Sequence, residues 1–186
     1  MLLSLIFDLF GLISSIILVC DFINCIFKLN ILSTNNLFNL LFMSKNFKKT
    51  AKQNKALFLD RDGVINEDYG HVYQEDKFHL IENIHTLINA AQKNGYKIII
   101  ITNQAGIGKK IFSSDDFKKL TKYMKNILLS FNCHIDAIYH CPFHPSKGIG
   151  KYLRDSYDRK PNPGMLLKAK KKFNLDMNKS ILIGDK

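Results

Sequence analysis

The sequence predicts an α/β fold built on a doubly wound parallel sheet. From residue 56 onward, short apolar runs alternate with amphipathic helical patterns, and each apolar run ends on polar side chains. The strand-like runs cover residues 56–59, 96–101, 135–139 and 180–183. Strands that alternate with helices are typical of a parallel sheet with helices on both faces. About 130 residues are also enough to bury a core without disulfides.

Three helical patterns lie between these strands. The first covers residues 82–94 and is closed by Gly95. The second covers residues 114–131, with one apolar stripe formed by Phe117, Leu120, Met124, Ile127, Leu128 and Phe131. The third covers residues 163–173, and we expect Asn162 as its N-cap and Pro163 in its first turn.

Polar residues follow all four predicted strands. The first strand leads to Asp60 and Asp62, the second to Thr102, Asn103 and Gln104, the third to His140 and Cys141, and the fourth to Gly184 and Asp185. Ligands of open parallel sheets bind outside the carboxyl ends of the strands. We therefore expect these residues, distant in sequence, to meet in one crevice.

The pair Asp60 and Asp62, followed by Gly63, suits phosphoryl transfer. One carboxylate can attack phosphorus and bind Mg²⁺, while the other protonates the leaving oxygen and later activates water. Two carboxylates so close together also require a cation. The alternative is an acidic turn that merely ends a strand.

Five segments resemble, in order, the haloacid dehalogenase superfamily of aspartate-nucleophile phosphotransferases. They are FLDRDGVIN at 58–66, ITNQAGIGKK at 101–110, HCPFHP at 140–145, RKPNPGM at 159–165 and IGDK at 183–186. The resemblance covers about residues 55–186. It is strongest to the branch that contains heptose 1,7-bisphosphate phosphatases and histidinol-phosphatase domains, and it implies a Rossmann-like fold with small loop insertions and no large cap domain.

The resemblance implies a role for each matching residue. Asp60 would be the nucleophile and a Mg²⁺ ligand, Asp62 the acid/base with its backbone carbonyl on the metal, and Asp185 a further metal ligand. The implied substrate-binding residues are Asp68, Tyr69, Gly70, His71, Thr102, Asn103, Gln104, Ala105, Arg159, Lys160 and Lys186.

Lys160 also has a role on chemical grounds. A carboxylate that attacks a dianionic phosphate is repelled unless cations neutralise the phosphoryl oxygens. In isolation Lys160 would be a solvated surface lysine. Its proline-rich loop leads into a helix N-terminus, however, and such positions favour anions.

The substrate expected from this resemblance is a small phosphorylated sugar, namely the 7-phosphate of D-glycero-D-manno-heptose 1,7-bisphosphate. Arg159 would recognise a second phosphate with its planar fork. Histidinol phosphate and the 3′-phosphate of DNA are alternatives, and the net charge of +11 is compatible with nucleic acid. The lysines are scattered over helix faces, so a solvated surface is favoured over nucleic-acid binding. A catalytically inactive phosphate-binding module is the remaining alternative.

Zinc is not expected. Many relatives close a zinc loop with a C-x-H pair followed by a C-x-C pair, whereas here Cys141 and His144 are spaced C-x-x-H and no cysteine follows Cys141. A structural site has four ligands, so a complete site would need His134, His140 or Asp158 to substitute for the missing ones. Four cysteines without a disulfide pattern indicate a reducing compartment, so we expect a cytoplasmic protein. We also expect a monomer.

The two ends of the sequence carry separate expectations. Residues 1–42 form a hydrophobic extension with one lysine and two aspartates, and residues 43–55 a basic linker. The extension is a membrane anchor, a segment packed on the domain, or a misassigned start before Met43; the last is favoured, and no membrane partner is expected unless the segment is native. The phosphatase domain, residues 56–186, is expected to be C-terminally incomplete because the sequence stops within IGDK.

Overall fold

A computed structural model of the chain describes residues 53–185. The predictions for the N-terminal extension, for most of the basic linker and for Lys186 therefore lie outside the described residues. Within residues 53–185, no helix is long and apolar enough to cross a membrane.

The sheet has four parallel strands in the order β3-β2-β1-β4. The strands are β1 (Lys55–Leu59), β2 (Tyr96–Asn103), β3 (Ala137–Cys141) and β4 (Ile181–Ile183). Leu57 of β1 pairs with Ile98 on one side and with Ile181 on the other. The predicted parallel sheet is confirmed, and its chain order reverses between β1 and β4, where ligands of such sheets bind.

Four α-helices connect and cover these strands. They are α1 (Ile84–Lys93), α2 (Ala105–Gly108), α3 (Ser114–Ser130) and α4 (Gly164–Phe173). Three short 3₁₀ turns occur at Glu75–Lys77, Gly150–Tyr152 and Met177–Lys179.

Alternate residues of the central strands pack on opposite faces of the sheet, as the period of a strand requires. Leu57 and Leu59 belong to a core with residues of α1 and α3, including Ile88 and Met124. Phe58, between them, belongs to a second core with residues of α4, Met165 and Ala169. Helices on both faces confirm the doubly wound arrangement.

Helix α1 begins at Ile84, two residues later than predicted, and one expected N-cap is not observed. Helix α3 begins with a capping box in which the Asp116 N–H donates to Ser113 Oγ and the Ser113 N–H donates to Asp116 Oδ2. For α4 the expected N-cap, Asn162, is wrong: Pro163 takes that position without a side-chain cap. The Asn162 amide instead donates to the carbonyl of Ser156 at 3.1 Å and holds the preceding loop.

Several strand bounds also differ by one or two residues, and His140 and Cys141, expected to follow β3, are the last residues of that strand. Strand β2 continues through Thr102 and Asn103, so these residues end the strand rather than follow it. Strand β3 begins at Ala137, two residues later than predicted. The reason is that the Asp136 carboxylate accepts the Ile98 N–H at 2.8 Å, a donor that a longer β3 backbone would otherwise use.

Candidate active site

A cleft of about 970 Å³ lies at the carboxyl ends of the strands. Its lining includes Asp60 after β1, Thr102 of β2 and Asp185 after β4. Asp62 and Lys160 also line it. The structure therefore brings together the five residues to which the sequence assigns chemistry, at the edge of the sheet where they were expected to meet.

Asp60 is fixed at the end of β1 by contacts on both sides. Its backbone N–H donates to the carbonyl of Ile183 in β4 at 3.0 Å, and its Oδ1 accepts the Arg61 N–H at 2.8 Å. Its Oδ2 forms an ion pair with Lys160 Nζ. A carboxylate paired with an ammonium group in a cleft is a suitable arrangement for receiving the negatively charged oxygens of a phosphate.

Asp62 accepts four hydrogen bonds from three side chains. Arg61 donates from Nε to Oδ1 and from Nη2 to Oδ2, both at 3.0 Å. Asn66 donates to Oδ1 at 3.1 Å, and Gln104 donates to Oδ2 at 2.9 Å. The same Gln104 amide also donates to Thr102 Oγ1 at 2.9 Å, so it links Asp62 to the end of β2.

Asn103 places Lys160 against the sheet. Its Oδ1 accepts the backbone N–H of Lys160 at 3.0 Å, and its Nδ2 donates to the carbonyl of Lys160 at 3.1 Å. A side-chain amide that satisfies both backbone groups of one residue fixes that residue's position. The lysine of a loop 57 residues away is thus held beside Asp60.

Gly63, in the turn after β1, allows the Asp185 side chain to lie close to that turn. Gly63 has a φ of 81°, and a Cβ built on it would lie 2.8 Å from Asp185 Oδ2. Among residues 53–185, no group of three or more His, Cys, Asp or Glu side chains has a metal-binding arrangement. Mg²⁺ nevertheless prefers hard oxygen donors, and the side chains of Asp60 and Asp185 and the backbone carbonyl of Asp62 are of this kind. The absence of a Cβ at Gly63 leaves room for the Asp185 carboxylate.

Five further polar side chains line the cleft and are called the rim: Asp68, His71, Lys109, His144 and Arg159. His71 Nε2 lies 3.3 Å from Lys109 Nζ. Burial and the Lys109 charge lower the pKa of His71 below its usual value. Arg159 donates from Nη1 to the carbonyl of Phe143 at 3.1 Å, and this contact anchors the guanidinium at the cleft.

The other predicted substrate-binding residues differ in position. Gly70 and Ala105 line the cleft. Tyr69 does not: its side chain is exposed and its hydroxyl donates to the carboxylate of Glu67.

The two residues of the incomplete zinc motif, Cys141 and His144, have different surroundings. Cys141 is fully buried at the end of β3 in the core beneath α4. His144 Nδ1 accepts the N–H groups of Ser146 and Lys147 at 3.2 and 3.0 Å. The expectation that zinc is not bound stays a prediction.

Sequence reasoning missed three residues of this site. Arg61 and Asn66 hold Asp62, and Lys109 contributes a cation to the rim. Arg61 lies between the two aspartates in the sequence, so a basic residue flanked by two acidic ones was the available signal. Lys109 had no such signal, since its position depends on helix α2.

Comparisons with known proteins identify the family of the chain. The family model described as polynucleotide kinase 3 phosphatase matches residues 42–186. The D-glycero-alpha-D-manno-heptose-1,7-bisphosphate 7-phosphatase of Burkholderia mallei is 50% identical over 134 residues, which are 72% of this chain and 71% of that protein.

Two solved structures share the fold. A protein from Mesorhizobium loti described as a HAD-like phosphatase is 33% identical with a TM-score of 0.69, over 72% of this chain and 64% of that one. The D,D-heptose 1,7-bisphosphate phosphatase from B. bronchiseptica, complexed with magnesium and phosphate, is 26% identical with a TM-score of 0.57, over 66% of this chain and 65% of that one. The chain thus spans slightly less than two thirds of these two solved chains. By the family match and the identity to the Burkholderia phosphatase, the chain belongs to the haloacid dehalogenase-like phosphatase family.

Proposed function

We propose that this chain hydrolyses the 7-phosphate of D-glycero-D-manno-heptose 1,7-bisphosphate through an aspartyl-phosphate on Asp60. The observation that carries the proposal is the ion pair between Asp60 and Lys160 in the same cleft as a restrained Asp62. A nucleophile, a phosphate-binding cation and an acid/base then surround one position. The name and the high identity of the Burkholderia relative support the sugar bisphosphate as substrate.

The first half of the reaction forms a bond between an Asp60 carboxylate oxygen and phosphorus, and breaks the bond from phosphorus to the sugar oxygen. Asp62, protonated, gives its proton to the departing sugar oxygen. Lys160 leaves its ion pair with Asp60 for the phosphoryl oxygens, and Thr102 donates a hydrogen bond to them. Asp60 is thereby freed for attack only when phosphate is present.

The second half releases phosphate. Asp62, now a carboxylate, takes a proton from a water molecule whose oxygen attacks phosphorus, and the bond from phosphorus to Asp60 breaks. Asp60 is regenerated as a carboxylate and Asp62 as an acid. The side chains of Asp60 and Asp185 and the backbone carbonyl of Asp62 would hold Mg²⁺. When bound, Mg²⁺ neutralises charge on the phosphoryl oxygens.

The rim supports a substrate with a second anionic group. Arg159 and Lys109 both line the cleft, beyond the cation that pairs with Asp60. A monophosphate would leave these charges without a partner, whereas a sugar bisphosphate presents one phosphate to Lys160 and the other to the rim.

The 3′-phosphate of DNA is a second candidate because the matching family model is described as polynucleotide kinase 3 phosphatase. Such a substrate would use the excess of basic residues over acidic ones, 27 against 16. Its cleavage would weaken steeply with salt, since backbone contacts release counterions.

One panel distinguishes the candidates. Phosphate release by the full chain is measured with and without Mg²⁺ on both anomers of the heptose bisphosphate, on histidinol phosphate and on 3′-phosphorylated DNA. We expect the highest kcat/KM for the bisphosphate, and no activity without Mg²⁺. A higher value for DNA that falls with salt would select the second candidate. Phosphate binding without any turnover would identify an inactive binding module.

A further inference from the structure

We infer that Arg61 is a positioning residue for catalysis: its buried guanidinium orients the Asp62 carboxylate for proton transfer to the leaving group. The inference deepens the proposed function and rests on it, because it assumes that Asp62 is the acid/base. Arg61 does not line the cleft, so it acts through Asp62 and not on the substrate.

The geometry of the pair is that of a fork that holds both carboxylate oxygens. Arg61 Nε donates to Asp62 Oδ1 and Nη2 donates to Oδ2, both at 3.0 Å. Nη2 also lies 2.8 Å from Oδ1, so it contacts both oxygens. Contacts from two guanidinium nitrogens to both oxygens restrict the plane of a carboxyl group as well as its position. A proton donor is effective only when it points at the departing oxygen, so a fixed plane has a direct chemical value.

The guanidinium is itself held from two other directions. Nη2 also donates to the carbonyl of Val72 at 2.7 Å, and the guanidinium carbon lies 5.8 Å from the centre of the Phe117 ring. Val72 directly follows His71 of the rim. Arg61 therefore ties the acid/base to the segment that borders the substrate opening.

A purely structural role explains Arg61 less well. Its side chain is 2% exposed, and Nη1 is buried without a hydrogen-bond partner among the described residues. A buried charge with an unpaired donor is an unfavourable way to fill a core, and apolar residues of similar volume are often at least as stabilising. Retaining the arginine is instead explained by what it does to Asp62.

The test uses leaving groups. An alkyl phosphate needs a proton on its departing oxygen, whereas p-nitrophenyl phosphate releases an acidic phenol that needs little assistance. The value of kcat/KM on both esters is measured for the full chain, with the alkyl phosphate that the wild type cleaves best. The ratio of the two values does not depend on the folded fraction of the preparation.

We expect Arg61→Lys, which keeps the charge but loses the fork, to lower kcat/KM on the alkyl ester ~10–100-fold and on the aryl ester less than ~3-fold. Arg61→Gln is the second variant and should change the ratio in the same direction. The matched control is Leu120→Ala, which shortens a buried side chain in the core between α3 and the sheet and removes none of the hydrogen bonds to Asp62. It should lower both values equally.

Two outcomes overturn the inference and are distinguishable. If Arg61→Lys and Arg61→Gln lower both values equally, as Leu120→Ala does, while Asp62→Asn selectively loses the alkyl ester, the arginine is structural and the proposed function stands. If Asp62→Asn is itself unselective, Asp62 is not the general acid, and the proposed mechanism fails together with the inference.

Discussion

The turn after β1, residues 60–66, and the rim are built in different ways. In the turn, Asp60 and Asp62 receive hydrogen bonds from their neighbour Arg61, and Asp62 receives one more from Asn66. In the rim, residues come from separate loops, and the contact between His71 and Lys109 joins positions 38 residues apart. Local contacts therefore orient the two aspartates, and the distant residues Gln104 and Lys160 complete their positions, whereas the rim depends on the tertiary fold. Variants of the turn should abolish or disable the reaction, and variants of the rim should only redirect it.

The largest effect is expected for Asp60→Asn. An amide is a far poorer nucleophile than a carboxylate and a weaker Mg²⁺ ligand, so kcat should fall at least ~10³-fold on every phosphate ester. The amide oxygen can still accept the Arg61 N–H, so the unfolding transition should stay cooperative although the ion pair with Lys160 is lost. Turnover within a few-fold of the wild type, with the fold intact, would exclude an aspartyl-phosphate.

The catalytic residues of the turn could be predicted from the sequence, but most of the side-chain contacts that hold them could not. Asp60 and Asp62 are recognisable because an apolar run ends on them, and Lys160 because it lies in a proline-rich loop before a helix. The contacts of Asn103 and Gln104 are set by partners 57 and 42 residues away. The sequence predicted that both side-chain amides bind substrate. Their orientation depends on how the loop that contains Lys160 packs against the sheet. The predicted N-cap of α4 was wrong for a local reason: the Asn162 amide donates to the carbonyl of Ser156 in its own loop.

Gly63→Ala should weaken Mg²⁺ binding while the nucleophile, Asp60, stays in place. The new methyl group would lie 2.8 Å from Asp185 Oδ2, so the carboxylate must move away from the turn. We expect the Mg²⁺ concentration for half-maximal activity to rise ~10-fold or more, since hard-oxygen sites depend on ligand geometry. Activity is titrated with Mg²⁺ for wild type and variant.

The matched control for this variant is Gly95→Ala. Gly95 has a φ of 74°, close to the 81° of Gly63, but nothing lies within 4 Å of its Cβ position. Both alanines should lose about 1–3 kcal/mol of stability through the left-handed backbone. Only Gly63→Ala should change the Mg²⁺ requirement; an equal change in both variants would mean that backbone strain, and not Asp185, is responsible.

In the rim, Arg159→Ala should narrow the preference for a bisphosphate over a monophosphate. We expect the ratio of the two kcat/KM values to fall ~10-fold, through the loss of a charged contact to the second phosphate. Arg154→Ala is the control, because Arg154 belongs to the same loop but stacks on Phe143 and does not line the cleft. If both variants keep the wild-type ratio, Arg159 does not bind the second phosphate.

The smallest effect concerns the protonation of His71. Burial contributes most to lowering its pKa, and the Lys109 charge contributes second. The Asp62 and Asp68 carboxylates oppose both effects and raise the pKa. Lys109→Met should therefore raise the pKa of His71, because it removes one of the two lowering effects. Since the folded-state pKa is depressed, the unfolded chain binds more protons between that value and 6.5, and the unfolding free energy rises with pH through this window. The variant should show a narrower pH window and a weaker pH dependence of the unfolding free energy.

The pKa is read from the ring proton resonances of His71, assigned by their loss in His71→Gln. Lys110→Met, which removes a neighbouring exposed lysine, should leave the titration unchanged. An unchanged or lower pKa in Lys109→Met would mean that the ammonium does not act on the imidazole, and that the rim is assembled differently around its substrate.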